Sequence, residues 1–240
     1  MLDLKEEAKF AELKDKCRDL RVPTPPEIFI GLKVHDKDGI LTFDDIQRGH
    51  SWNRNLWNIL FMTCCDCAAD GSTFGAGTMG TKSQDGTSRG NTTSSYARGV
   101  SGGAVGNYIA VSYGWCGAAG VAAGIVIGTS DTAFSPQDYA LGALISPGGW
   151  VYNAMGIGSI AYTAGTKTWK HTKARVFNNN TGGSVTVKET GLTGYATTVN
   201  GLNPVLYLFE RSVLSPTVAV PNGAQLTVTY EISMDFSAID

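Results

Sequence analysis

No apolar run in this 240-residue chain approaches the roughly 18–20 residues that a bilayer-spanning helix requires, because Gly, Ser, Thr and Asn break every weakly charged stretch. A transmembrane helix is excluded on that ground. The opening MLDLKEEAKF interleaves charges and holds no apolar segment, so it does not read as a secretory signal, and the chain is expected to stay where it is made. Excess charge of one sign is also lacking. Nineteen basic against 21 acidic residues leave a formal net charge of −2, without the electrostatic footprint of a protein devoted to holding nucleic acid.

A disulfide framework is absent too. The five cysteines are odd in number, with Cys64, Cys65 and Cys67 crowded together and Cys17 and Cys116 isolated, a distribution that fits a reducing compartment. Cys64 and Cys67 have CxxC spacing, yet a structural zinc site needs four ligands, and His35, His50 and His171 stand apart. No metal or cofactor is therefore expected. Nor are there catalytic signatures: His-Glu-x-x-His, Gly-x-Ser-x-Gly and the Walker loop are all missing.

What the chain does have is glycine and unevenly placed charge. Thirty glycines exceed the average usage of about 7% and point to turn-rich β structure. Residues 1–50 hold 9 basic and 11 acidic side chains, half of all the charge, whereas the 68 residues from Gly99 to Thr166 hold only Asp131 and Asp138. Such a stretch suits a surface closed by identical neighbours better than the exterior of a lone monomer.

Leu4, Ala8, Ala11 and Leu13 recur at helical spacing and predict an amphipathic helix from about Asp3 to Leu20, stopped by the prolines at 23, 25 and 26. Residues 1–26 then read as a helical arm with a Pro-rich linker, and residues 27–240 as a β-rich domain. Ile28, Ile30, Leu32 and Val34 alternate as a strand, and Asp38-Gly39 signals a hairpin with Ile40–Phe43 as its partner. Ser51 is placed to cap a nearly apolar helix over residues 52–65, flanked by Asn53, Asn55 and Asn58. The Gly/Ser-rich segment 70–106 admits three readings: a long surface loop, short strands with tight turns, or a segment ordered only in an assembly.

Strand-like runs follow at Val121–Ile127, Gly149–Tyr162, Thr168–Phe177, Ser184–Leu192, Val205–Arg211, Thr217–Val220 and Gln225–Phe236. In the last, Leu226, Val228, Tyr230, Ile232, Met234 and Phe236 alternate with polar residues, so one face should be buried and the other solvated. The fold class expected is mainly β, an antiparallel β-sandwich (jelly-roll-like) with an N-terminal helix and a second apolar helix.

Residues able to do chemistry are few. Cys116 with His171 would make a nucleophile and base, and Asp131 with Asp138 a carboxylate pair, but seven residues across a Ser-Pro turn give those acids no reason to converge. His35 reads as a hairpin histidine and His50 as a residue at a helix N-terminus. Gly117 to Gly124 has phosphate-loop composition without the Lys-Ser/Thr pair and precedes a strand. Lys167, Lys170, Lys173 and Arg175 with Trp169 form a basic strand read as a solvent face, with nucleic-acid contact as the alternative. No catalytic, cofactor-binding or metal residue is assigned.

Several segments have a familiar look: Gly124 to Asp131, Asp138 to Ile145, Ala174 to Glu189, Leu208 to Leu214, Val220-Pro-Asn-Gly223, and upstream His50-Ser-Trp-Asn-Arg-Asn-Leu-Trp-Asn58. Together they cover about half of the chain, and the chain resembles virion structural proteins of tailed bacteriophages. The resemblance implies a non-enzymatic particle component, in capsid decoration, head-tail connector or tail and fibre. It further implies a homo-oligomer that contacts other virion proteins and is located in the virion after assembly in the host cytoplasm. No catalytic residue comes with it. The alternative is a carbohydrate- or receptor-binding adhesin module, in which Trp150, Tyr152 and Trp169 stack on the sugar rings of a host surface glycan. A membrane partner is not expected.

Overall fold

Alternation of apolar and polar side chains over Gln225–Asp235 builds a strand at the centre of the largest sheet. The computed structural model describes residues 4–22, 24–49, 52–65, 80–89, 123–155, 158–197 and 204–237. Among the described residues two helices, α1 (Leu4–Leu20) and α2 (Arg54–Cys65), accompany eleven strands. These are β1 (Glu27–His35), β2 (Leu41–Arg48), β3 (Thr81–Lys82), β4 (Ser88–Arg89), β5 (Gly124–Gly128), β6 (Trp150–Tyr152), β7 (Ser159–Thr163), β8 (Thr168–Asn179), β9 (Val185–Thr197), β10 (Pro204–Val220) and β11 (Gln225–Asp235). The class is the expected one, mainly β with antiparallel sheets in a sandwich-like fold, an N-terminal helix and a second helix.

Contacts divide the chain into two units. The first, Met1–Gly49, Gly149–Val185 and Val218–Asp240, carries a six-stranded antiparallel sheet in the order β2-β1-β11-β8-β6, with β7 also on β8. Register pairs Ile28 with Ile232, Leu32 with Val228, and Val34 with Leu226, so these side chains share one face. Ile28, Ile30, Leu32, Val34, Leu226, Val228, Tyr230 and Phe177 are buried there, while Ile232 and Met234 are only half-buried. The β1–β2 turn forms where expected. Asp36 accepts the backbone amides of Asp38 and Ile40 on its carboxylate, and Gly39 takes a φ of 81° that L side chains rarely adopt. Its partner strand is longer than the four residues expected, since β2 runs to Arg48.

The second unit, His50–Gly148 and Thr186–Thr217, holds the greater part of the sheet β10-β9-β5 and the short β3–β4 hairpin. Leu56 and Ile59 of α2 pack on Tyr207 and Phe209 of β10, with Trp52, Leu60 and Val205 at the margin. The asparagines of α2 are buried, and they hold backbone. Asn53 Nδ2 donates to the Leu208 carbonyl at 2.7 Å, and Asn58 Nδ2 to Gly80 at 2.7 Å. Asn55 behaves like a strand residue, donating to the Lys82 carbonyl and accepting the Lys82 amide, both at 2.8 Å. The N-cap is Asn53, whose Oδ1 accepts the Leu56 amide, and the helix starts at Arg54, not Trp52; Ser51 lies outside the described residues.

Two strand expectations change. Gly149–Tyr162 is not one strand but β6 and β7, which pair with opposite ends of β8. Val205–Arg211 and Thr217–Val220 are one strand, β10, since the Ser215-Pro216 pair lies within it. A proline is tolerated in a strand where its missing donor is not needed. The segment 70–106 lies almost wholly outside the described residues; of it only 80–89 is described, and this part forms the β3–β4 hairpin.

Candidate interaction surface

Among the described residues, those singled out for chemistry do not come together. Cys116, Cys67 and His50 lie outside the described residues, and His171 is half-buried on β8. Cys17 is a free, buried thiol on α1. His35 ends β1, its Nδ1 closed to solvent without a hydrogen-bond partner. Among the described residues no group of three or more His, Cys, Asp or Glu side chains could hold a metal ion, and no helix is long and apolar enough to cross a membrane.

Asp131 and Asp138 go separate ways. Asp131 is exposed and pairs with Lys188 at 2.8 Å, which together with a backbone hydrogen bond holds its carboxyl below the usual range. Asp138 instead joins a buried cluster in the second unit. Glu189 of β9 accepts Arg211 Nε at 2.7 Å and three backbone amides, from Ser130 at 3.3 Å, Gly142 at 3.0 Å and Ala143 at 2.8 Å. Arg211 of β10 also donates to Asp138 at 2.9 Å and to the Thr132 carbonyl at 2.9 Å. Burial opposes the guanidinium charge, but the bonds to Glu189 and Asp138 outweigh it and raise its pKa. With its oxygens and donors occupied, the cluster pins residues 129–143 to the sheet. The same segment covers the edge of β5, where Thr129 and Ile145 exchange backbone bonds with Ala143 and Ile127. Glu189 and Arg211 were visible in sequence only as charges inside apolar strand runs.

In the first unit α1 lies on the polar face of the large sheet. Arg48 donates Nε to Glu7 at 2.7 Å and Nη1 to Glu27 at 3.0 Å, and its guanidinium sits 4.4 Å from the Phe10 ring centroid and 4.7 Å from that of Phe29. The Arg48 hydrogen bond lowers the Glu7 pKa. A cavity of about 420 Å³ remains beside this contact, bordered by Lys14, Lys170, Glu231 and Asp235. Its charges are mutually engaged, with Lys14 on Glu27 at 2.5 Å and Lys170 on Glu231 at 2.7 Å.

The basic strand is not a solvent face. Period 2 puts Lys173 and Arg175 on the side of Phe177, where both are buried, and Lys170 on the other. Arg175 donates to the Asn153 carbonyl at 3.1 Å and lies 5.0 Å from the Tyr152 ring centroid, a cation–π contact. Lys167 is in the turn before β8, at a φ of 50°. Trp150 and Tyr152, expected as exposed sugar-stacking rings, are buried, and Tyr152 packs edge-on against Phe177 with centroids 4.9 Å apart.

What is exposed is the β7–β8 hairpin. All five residues of β7 are exposed. Ile160 is 69% exposed, Tyr162 50% and Trp169 48%, and the Tyr162 and Trp169 rings lie 5.0 Å apart as a tilted pair across the hairpin. Among the described residues no strand lies beyond β7. This edge carries no charge, proline or bulge, the devices by which proteins prevent edge pairing. Trp169 is legible in the sequence as an aromatic on a basic strand, whereas Ile160 and Tyr162 are hidden within the longer strand-like run Gly149–Tyr162. No family model, curated protein or solved structure matches the chain.

Proposed function

We propose that this chain is a non-enzymatic structural component of a virus particle, of the tailed-bacteriophage kind that its segments resemble, assembling with copies of itself and contacting other virion proteins. The observation that carries this reading is the β7–β8 hairpin, an uncharged strand edge with Ile160, Tyr162 and Trp169 in solvent. An apolar edge of this sort is a template for pairing with another chain. The use of Glu189, Asp138 and Arg211 as clamps on backbone, not as groups facing a cleft, supports the non-enzymatic part.

Sedimentation velocity of the purified chain at rising concentration tests assembly, and imaging of particles with the chain labelled tests location. Oligomers and labelled particles are expected; a strict monomer at high concentration that labels no particle overturns the reading. The tilted Tyr162–Trp169 pair favours one second reading, an adhesin module that stacks a sugar ring. Glycan-array binding that Trp169→Ala abolishes, by a chain that stays monomeric, would select it.

A further inference from the structure

The six-stranded sheet of the first unit ends in two strands with opposite character. At one end is β2, with Ile46 56% exposed and with Asp44 and Asp45, while Arg48, its cation, is turned onto Glu7 and Glu27. At the other end is the β7–β8 hairpin, with Ile160, Tyr162 and Trp169 exposed. From Ser159 to Thr172 it contains Lys167, Lys170 and His171 and no acidic residue. In fact none occurs between Tyr139 and Lys188.

The register places Asp44, Ile46 and Lys170 on one side of the sheet, and Ile160, Tyr162 and Trp169 on the other. Asp44 opposes Lys33, and Lys170 opposes both Ala161 and Ser233, all on the sheet face that carries Phe29 and Glu231. Asp44 and Lys170 are each 45% exposed, bound only to the neighbouring strand, at 3.2 Å to Lys33 and 2.7 Å to Glu231. Between β2 and β7 lie four antiparallel pairings, through β1, β11 and β8. An even number of reversals leaves the two edges running in the same direction, so copies repeated side by side would meet edge to edge as a parallel pair. Pairing β2 with β2 about its acidic residues would instead bring Asp44 or Asp45 against its own copy, which like charge opposes.

We propose that a second copy of this chain docks by its β2 edge on the β7 edge of the first, extending the six-stranded sheet from copy to copy. The contact is head-to-tail, so it closes into a ring or continues as a filament according to the rotation between copies. Parallel backbone pairing and the acidic edge against the basic one each contribute, with Ile46 lying on the face of Ala161 and Lys170, and Ile160 and Tyr162 on the opposite face. The proposal rests on the self-assembly reading above and names the surfaces that carry it.

Two exposed positions test it with little risk to folding, Ile46→Lys on β2 and Ile160→Glu on β7, each checked for the wild-type circular dichroism spectrum. In sedimentation velocity the wild type is expected to assemble and each variant to lose the assembled species. An equimolar mixture should recover a dimer and nothing longer, because the intact β2 of Ile160→Glu can dock on the intact β7 of Ile46→Lys and the two edges left over are the altered ones. Should either variant not fold, Asp44→Lys and Lys170→Glu put the same repulsion on the two edges through half-exposed charges. Wild-type assembly that Ile46→Lys leaves intact overturns the head-to-tail contact, and if Ile160→Glu alone abolishes it, β7 pairs with its own copy. Assembly untouched by either variant overturns the proposal while the self-assembly reading stands. A wild type that remains monomeric overturns both.

Discussion

Glu189 Oε2 and Arg211 Nε lie 2.7 Å apart in the interior of the second unit, with side-chain exposures of 0% and 2%. Neither charge could be held there without the other, since a lone buried ion costs several kcal/mol of desolvation. The pair also carries a loop, because Glu189 takes the amides of Ser130, Gly142 and Ala143 and Arg211 takes the Thr132 carbonyl. Local sequence supplies little to order residues 129–143, and the order comes from two charges on neighbouring strands.

Removing one partner should therefore be costly. Arg211→Met is expected to destabilise the chain by about 3–5 kcal/mol, the range for an uncompensated buried charge. Asp131→Asn, which breaks the exposed pair with Lys188, should change stability by less than about 1 kcal/mol. Urea unfolding of the two variants measures both.

The asparagines of α2 call for a similar comparison. Asn55 satisfies both the amide and the carbonyl of Lys82, so Asn55→Ala leaves two backbone groups without that partner. A loss of about 1–3 kcal/mol per group that stays closed to water is expected. Trp57→Ala, two residues on and 47% exposed, should cost far less despite the larger truncation. Equal midpoints for the two variants would mean that α2 is held by its apolar face and that the Asn55 bridge is incidental.

Acid should loosen the α1 contact. The Glu7 carboxyl is held below its ordinary value of 4.5 by the Arg48 hydrogen bond, so the folded chain binds that proton more weakly than the unfolded chain. The stabilisation is complete above the unfolded value and disappears as pH falls through the lower, folded one. At pH 7 Glu7→Gln should be less stable than wild type, and the gap should narrow as pH falls through the lowered Glu7 value. Denaturant melts of the two proteins at pH 7 and pH 3 check this, and a gap independent of pH would assign the contact to packing by Phe10.

The β11 strand was legible because its alternation is a local property: Leu226, Val228 and Tyr230 are buried as their spacing implies. The spacing overreaches at Ile232 and Met234, which are half-buried near the end of the strand, and burial there depends on what covers the sheet. Arg175 and Lys173 show a different limit. A charge on a strand is usually read as facing water, yet their period with Phe177 already placed them inside. The Asn53 contact with Leu208 spans 155 residues, so the sequence showed a polar flank on α2 and could not show its partner. Likewise the two sheet edges become edges only once the strand order is known, since β2 and β7 look like ordinary strands until β11 and β8 are placed between them.

Gly128 offers the sharpest test of how tightly the Glu189 clamp is built. It ends β5 opposite Glu189, and a Cβ at this position would fall against Glu189 Oε1, Glu189 Cγ and the Ala143 carbonyl oxygen, all closer than real Cβ contacts allow. Neither neighbour can give way easily. The Glu189 carboxylate is fixed by Arg211 and by three amides, and the Ala143 carbonyl is bonded to the Thr129 amide. Gly128→Ala must therefore displace the carboxylate or the segment it holds, an overpacking cost of about 1–3 kcal/mol or more. Gly148→Ala provides the matched control, since a Cβ there meets nothing within 4 Å, and the added methyl should leave stability unchanged or raise it slightly. If the clamp is rigid, Gly128→Ala lowers the urea midpoint and exposes the amides of Gly142 and Ala143 to hydrogen exchange, while Gly148→Ala does neither. Equal midpoints with unchanged exchange would mean that the 129–143 segment yields freely and that the charge cluster does not hold it.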